Sequence, residues 1–148
     1  MADRYFNREE AEELLPMIGR SLERAQEQKK SIEPLERDLA MAAARIMMAG
    51  GSQPPYQELV KKKNERDKVM ARIEEIIKTI QETGCVVKDF EEGLVDFPAL
   101  VGGEEVYLCW KQGEERIGFW HGIDEGFAGR KPLKGEDDAD EPRNPRMH

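Results

Sequence analysis

Residues that carry out chemistry are scarce in this chain. Across 148 residues there are two cysteines, Cys85 and Cys109, and two histidines, His121 and His148. Ser21, Ser31 and Ser52 all fall in helix or turn contexts with no histidine near them in sequence, which weakens a serine-hydrolase reading. No HExxH is present, and the glycine-rich GIDEGFAGR lacks both the lysine of a phosphate-binding loop and the strand-then-helix setting of a dinucleotide fingerprint. No apolar run approaches the roughly 18 to 20 residues of a membrane span. The opening MADRYFNREEAEE is charged throughout and has no signal-peptide core. The cytoplasm is the expected location, with Cys85 and Cys109 as reduced core thiols.

Charge is plentiful, and its distribution is informative. The net charge is −8, and 36% of residues are charged, well above the usual quarter. Most of the excess lies between Gly84 and Arg130, where four basic residues face ten acidic ones. A phosphate backbone would be repelled there, so nucleic acid is not an expected partner. The basic run Lys61–Lys63 is offset by Glu58, Glu65 and Asp67 and reads as a solvated helix face.

Residues 7–49 carry a helical pattern. Asn7 and Glu10 have capping-box spacing. Ala11, Leu15, Ile18, Leu22, Ala25, Ile32, Leu39, Ala43 and Ile46 then recur at alternating steps of four and three, broken only where Lys29 and Glu36 take a position, a coiled-coil-like stripe. Pro16 and Pro34 are expected to kink or divide the helix. After Gly50-Gly51 and SQPP, a second helix is expected over 56–83, with the stripe Tyr56, Leu59, Met70, Ile73, Ile77 and Ile80. The short turn makes the two helices antiparallel neighbours, with Glu36 near Arg66. Leu14, Leu15 and Ile18 overhang the second helix and need another surface to cover.

From Cys85 the period becomes two. CVVKDF, GLVDFPAL, EVYLCW and RIGFW are four strand candidates separated by glycines. A two-residue turn at Gly113-Glu114 would set Trp110 opposite Ile117, Leu108 opposite Phe119 and Val106 opposite His121. Cys109 and His121 would then point to opposite faces, so a shared metal site would need a register slip or a bulge. The expected fold is α+β: a long antiparallel helical hairpin over 1–83, then a small antiparallel β-meander with a glycine-rich loop over 84–130. A charged, proline-containing tail over 131–148 is expected to be disordered.

Two regions stand out for function. The loop after the last strand candidate gathers Trp120, His121, Asp124, Glu125 and Arg130, polar groups beside an aromatic ring, which is the general description of a ligand site. No catalytic residue, metal ligand or cofactor is assigned. The other region is LAMAAARIMMAGG at the hairpin tip, apolar nearly all round. A two-helix hairpin buries one stripe of each helix, so Met41, Met47 and Met48 cannot all be covered together with Leu39 and Ile46. Such a surface marks a partner or a self-association site, and a homo-oligomer is the expected outcome.

LVDFPAL, EVYLCW, the glycine–glutamate turn, FWHGIDEGFAGR and the opening FNREEAEELLP together resemble an uncharacterised bacterial family known only as a domain of unknown function. The resemblance implies a bacterial cytoplasmic protein and brings no catalytic residues with it. The expected function is that of a non-enzymatic, self-associating interaction protein with neither nucleic acid nor membrane as partner. The alternative is a small-molecule or divalent-metal-binding protein, or an enzyme, built on the loop after the last strand.

Overall fold

Asn7 starts the first helix as its spacing with Glu10 requires. Asn7 Oδ1 accepts the Glu10 N–H at 2.6 Å, and Glu10 Oε1 accepts the Asn7 N–H at 2.9 Å, a reciprocal capping box. The computed structural model describes residues 2–49 and 56–133. Three helices come first: α1 (Arg8–Lys30), α2 (Ile32–Met48) and α3 (Tyr56–Gln81). The expected turn at Gly50-Gly51 and SQPP lies outside the described residues. By their contacts the residues form two compact units, one of residues up to Leu22 with those from Ile77 onward, the other Glu23–Ile76.

Pro16 sits inside α1 without dividing it. The interruption falls at Ser31, three residues before Pro34. A proline ring crowds the carbonyl four residues earlier, here that of Lys30, so the break precedes the proline rather than coinciding with it. Ser31 closes the turn by donating both its N–H and its hydroxyl to the Gln28 carbonyl, at 3.1 and 2.7 Å.

In the helical unit, α2 and α3 run antiparallel. Arg72 reaches Gln28, Lys62 reaches Asp38, and Arg45 pairs with Glu58. The expected Glu36–Arg66 pairing is replaced by these contacts, and Arg66 meets the adjacent Asp67. The buried stripe of α3 is Val69, Ile73, Ile76 and Ile80, one residue off the expected Met70 and Ile77 at two positions.

The other unit holds a five-stranded antiparallel meander in the order β1 (Val86–Asp89), β2 (Leu94–Val101), β3 (Glu104–Lys111), β4 (Phe119–Gly122) and β5 (Lys131–Pro132). The α+β expectation of helices followed by a small antiparallel sheet is met, with five strands where four were expected. Lys131 and Pro132, expected to open the tail, instead pair with Trp120 and Phe119. Gly102 and Gly103 join β2 to β3 with φ of +59° and +85°, the two positive angles that a type I′ turn demands.

The β3–β4 register differs from the expected one by a single residue. Cys109 lies opposite Phe119, Leu108 opposite Trp120 and Tyr107 opposite His121. The cause is the connection. Instead of turning at Gly113-Glu114, the chain runs irregularly to Gly118. Ile117 leaves the ladder to become fully buried, and its N–H donates to Glu12 Oε2 of α1 at 2.8 Å.

This unit therefore has two buried sheet faces. One carries Val95, Phe97, Ala99, Val106, Leu108 and Trp110, all buried. Phe6 packs edge-on against Phe97 at 5.3 Å between ring centroids, and its N–H donates to the Pro98 carbonyl at 2.7 Å. Ala11, Leu15, Ile18 and Leu22 are buried in the same unit, whereas Leu14 is only half-buried. Phe119, expected on this face, lies on the opposite one with Cys109, because of the register shift.

Candidate functional site

The second face holds the only cluster of metal-ligating residues found among the described residues: Asp96 from β2, Cys109 from β3 and His121 from β4. Asp96 stands directly opposite Cys109, and His121 is two residues beyond Phe119, the other neighbour of Cys109. Side chains alternate along a strand, so the three share one face. All three are buried, at 2%, 2% and 1% exposure respectively. One donor atom from each lies within 4.8 Å of the others.

Hydrogen bonding fixes the imidazole. His121 Nδ1 lies 2.9 Å from the Gly122 carbonyl oxygen, and Nε2 lies 3.0 Å from Asp96 Oδ1. Both partners accept in their ordinary forms, whereas a neutral imidazole has one N–H to give. The carbonyl can only accept, which places an N–H at Nδ1, and Nε2 meets the carboxylate either through a second ring proton or through a shared cation. The Tyr107 ring leans on the imidazole at 5.4 Å.

Burial pushes the Cys109 thiol up from 9.0 to about 12, reinforced by the negative charge of Asp96 and opposed by Arg130. A cysteine nucleophile needs the opposite: a depressed thiol with an imidazole poised to take its proton. Here the imidazole is turned to Asp96 and thiolate is disfavoured. A thiol held in this way is poorly suited to nucleophilic catalysis.

Arg130 and Glu114 form a clasp beside this cluster. Arg130 Nη2 donates to both Glu114 carboxylate oxygens at 3.0 Å, and it lies 3.5 Å from the Cys109 carbonyl. Its guanidinium stacks on the rings of Phe119 and Phe127, at 3.8 and 4.6 Å from their centroids. Glu114 in turn accepts the Lys111 N–H, and its carbonyl accepts Trp110 Nε1–H, each at 2.9 Å. The irregular connection is thus held by one glutamate.

The five loop residues singled out by sequence go to different places. His121 is buried with Asp96. Trp120 points to the opposite face, with Lys131 over its ring at 4.8 Å. Glu125 organises the loop: its Oε1 accepts from the Gly122 N–H at 2.8 Å and from Lys131 at 2.6 Å. Those two bonds hold its carboxyl below the usual range, Lys131 first. Asp124 is exposed. Arg130 is committed to Glu114.

Residues 4–133 match a family described as an uncharacterised conserved protein, DUF2203. The chain belongs to that family. No curated protein and no solved structure matches it. The family description names no activity, so the geometry has to supply the functional reading.

Sequence reasoning missed Asp96 and Glu114. A signal for Asp96 was present: within LVDFPAL it is a lone carboxylate between apolar residues, in a strand buried on both faces from Val95 to Ala99. A buried charge needs a partner. Glu114 read only as the second residue of a turn.

The helical unit presents a different feature. Of the tip residues, Leu39 and Ile46 are half-buried, while Met41, Met47 and Met48 are 58%, 84% and 86% exposed. Tyr56 and Val60 at the start of α3 are also exposed. Among the described residues, no helix is long and apolar enough to cross a membrane.

Proposed function

We propose that this protein is a non-enzymatic interaction protein that binds a second copy of itself through the tip of its helical unit. The observation that carries the reading is the exposure of Met41, Met47 and Met48 on one helix end. Exposed methionines form an adaptable apolar surface that repacks readily against a partner. The occupant is a second copy because the tip is electrically neutral. From Leu39 to Val60 the charged residues are Arg45 and Glu58, which pair with each other. Two copies can therefore meet there without the repulsion expected elsewhere on a chain of net charge −8. The acidic sheet unit argues against nucleic acid as a partner, and the cytoplasm remains the proposed location.

A ligand site in the loop after β4 has less support, because Arg130 and Glu125 spend their hydrogen bonds inside the fold.

Light scattering at micromolar concentration tests the proposal. The expected mass is twice the 17.0 kDa of the chain. Met47→Lys with Met48→Lys should return it to a monomer with an unchanged circular dichroism spectrum. A wild-type monomer, or a double variant still dimeric, would refute the reading.

A further inference from the structure

We propose that Asp96, Cys109 and His121 together bind one divalent transition-metal ion of the zinc type. This inference is independent of self-association and concerns the sheet unit alone.

Four observations carry it. First, the three side chains offer one oxygen, one sulfur and one nitrogen within 4.8 Å of one another, in a fully buried setting. Second, the imidazole is oriented as in metal sites. Its Nδ1–H is spent on the Gly122 carbonyl at 2.9 Å, the usual outer contact that fixes the tautomer and leaves Nε2 to the ion. Third, Nε2 and Asp96 Oδ1 lie 3.0 Å apart, close enough for a single ion to take both as ligands. Fourth, the ligands stand on three neighbouring strands in a fixed register, so the sheet pre-arranges them.

The donor set selects the class of ion. Magnesium and calcium take oxygen ligands, whereas mixed imidazole, thiolate and carboxylate donors suit zinc and its neighbours. Three protein ligands leave a fourth tetrahedral position for water or another small ligand. Charge agrees. A carboxylate and a thiolate bring two negative charges, and a divalent ion leaves the buried set neutral, as burial requires.

The test uses the full chain, stripped of metal by chelator and kept reduced, titrated with cobalt(II) as an optical substitute for zinc(II). One equivalent should produce a thiolate-to-cobalt charge-transfer band and the intense visible bands of a four-coordinate centre. Zinc(II) should abolish both and raise the melting temperature. Cys109→Ser should remove the charge-transfer band, and Cys85→Ser should keep it. Asp96→Asn and His121→Gln should each weaken zinc(II) binding by at least roughly tenfold. The wild-type spectrum needs no variant to fold. Folded wild type without a charge-transfer band, or a band that survives Cys109→Ser, would overturn the proposal and leave His121 and Asp96 as a structural pair.

Discussion

Replacing Arg130 by alanine should destabilise the sheet unit by about 3 kcal/mol. The guanidinium is 12% exposed and makes two 3.0 Å bonds to a Glu114 carboxylate that is 29% exposed. Hydrogen bonds to charged groups are worth about 1.5–3 kcal/mol. Stacking between two aromatic faces adds about 0.5–2 kcal/mol. Against these stands Arg130 Nε, which is buried without a hydrogen-bond partner among the described residues and costs about 1 kcal/mol. Glu114 recovers part of its hydration once Arg130 is gone, which keeps the total near the middle of the range. Both tryptophans, Trp110 and Trp120, lie on β3 and β4, so their fluorescence reports this unit alone. In urea, with a slope of about 2 kcal/mol per molar, the midpoint should fall by about 1.5 M. Arg130→Lys should lose part of the same stability, because an ammonium cannot stack as a plane on the Phe119 and Phe127 rings. A midpoint for Arg130→Ala within a few tenths of a molar of wild type would refute the clasp as a structural element.

Cys109 predicts an alkaline limit on stability. Its folded thiol titrates at about 12 against an ordinary 9.0, so the folded state holds the proton over a range where the unfolded chain releases it. The contribution is complete below about pH 9 and is lost as pH rises toward 12, up to about 4 kcal/mol in all. In the presence of chelator, Cys109→Ala should flatten the fall in urea midpoint between pH ~8 and pH ~10.5, and an identical slope in variant and wild type would contradict the assignment. Gly93→Ala should cost clearly more than Gly102→Ala, which carries strain alone at roughly 1 kcal/mol. Gly93 has φ of +74° and a Cβ there would collide with the Gln112 side chain, whereas one at Gly102 meets nothing within 4 Å. Equal losses in the same denaturation assay would show that Gln112 yields freely.

Features governed by local chemistry were legible in the sequence. The Asn7–Glu10 cap depends on four residues, and the Gly102-Gly103 turn on two with no Cβ. The antiparallel hairpin followed from a repeat spanning many turns of helix. What escaped was set by distant partners. The length of the β3–β4 connection depends on Ile117 finding the core and on Glu12, 105 residues earlier, accepting its N–H. Without that knowledge the shortest turn is the natural reading, and it shifts the register by one. Because strand side chains alternate, that single residue moves Cys109 and His121 from opposite faces to the same face. The candidate site was thus hidden by a turn, although each of its residues was in plain view. β5 escaped for another reason: Lys131 and Pro132 join the sheet through backbone pairing at its edge, to which an apolar pattern is blind.

The sheet unit is discontinuous in sequence, since Phe6 meets Phe97 and Glu12 meets Ile117, each more than ninety residues further on. This has a consequence for the order of events as the chain folds. Joining the two pieces means closing a long loop, an entropic cost that precedes any reward from the core. The segment between them is itself a hairpin whose contacts, such as Arg72 with Gln28, bring its two ends together. Formed first from nearer neighbours, it turns a floppy tether into a short bridge. Stabilising the hairpin would then quicken assembly of the sheet unit's core, and a newly made protein would keep its first twenty residues waiting until almost its last strand had appeared.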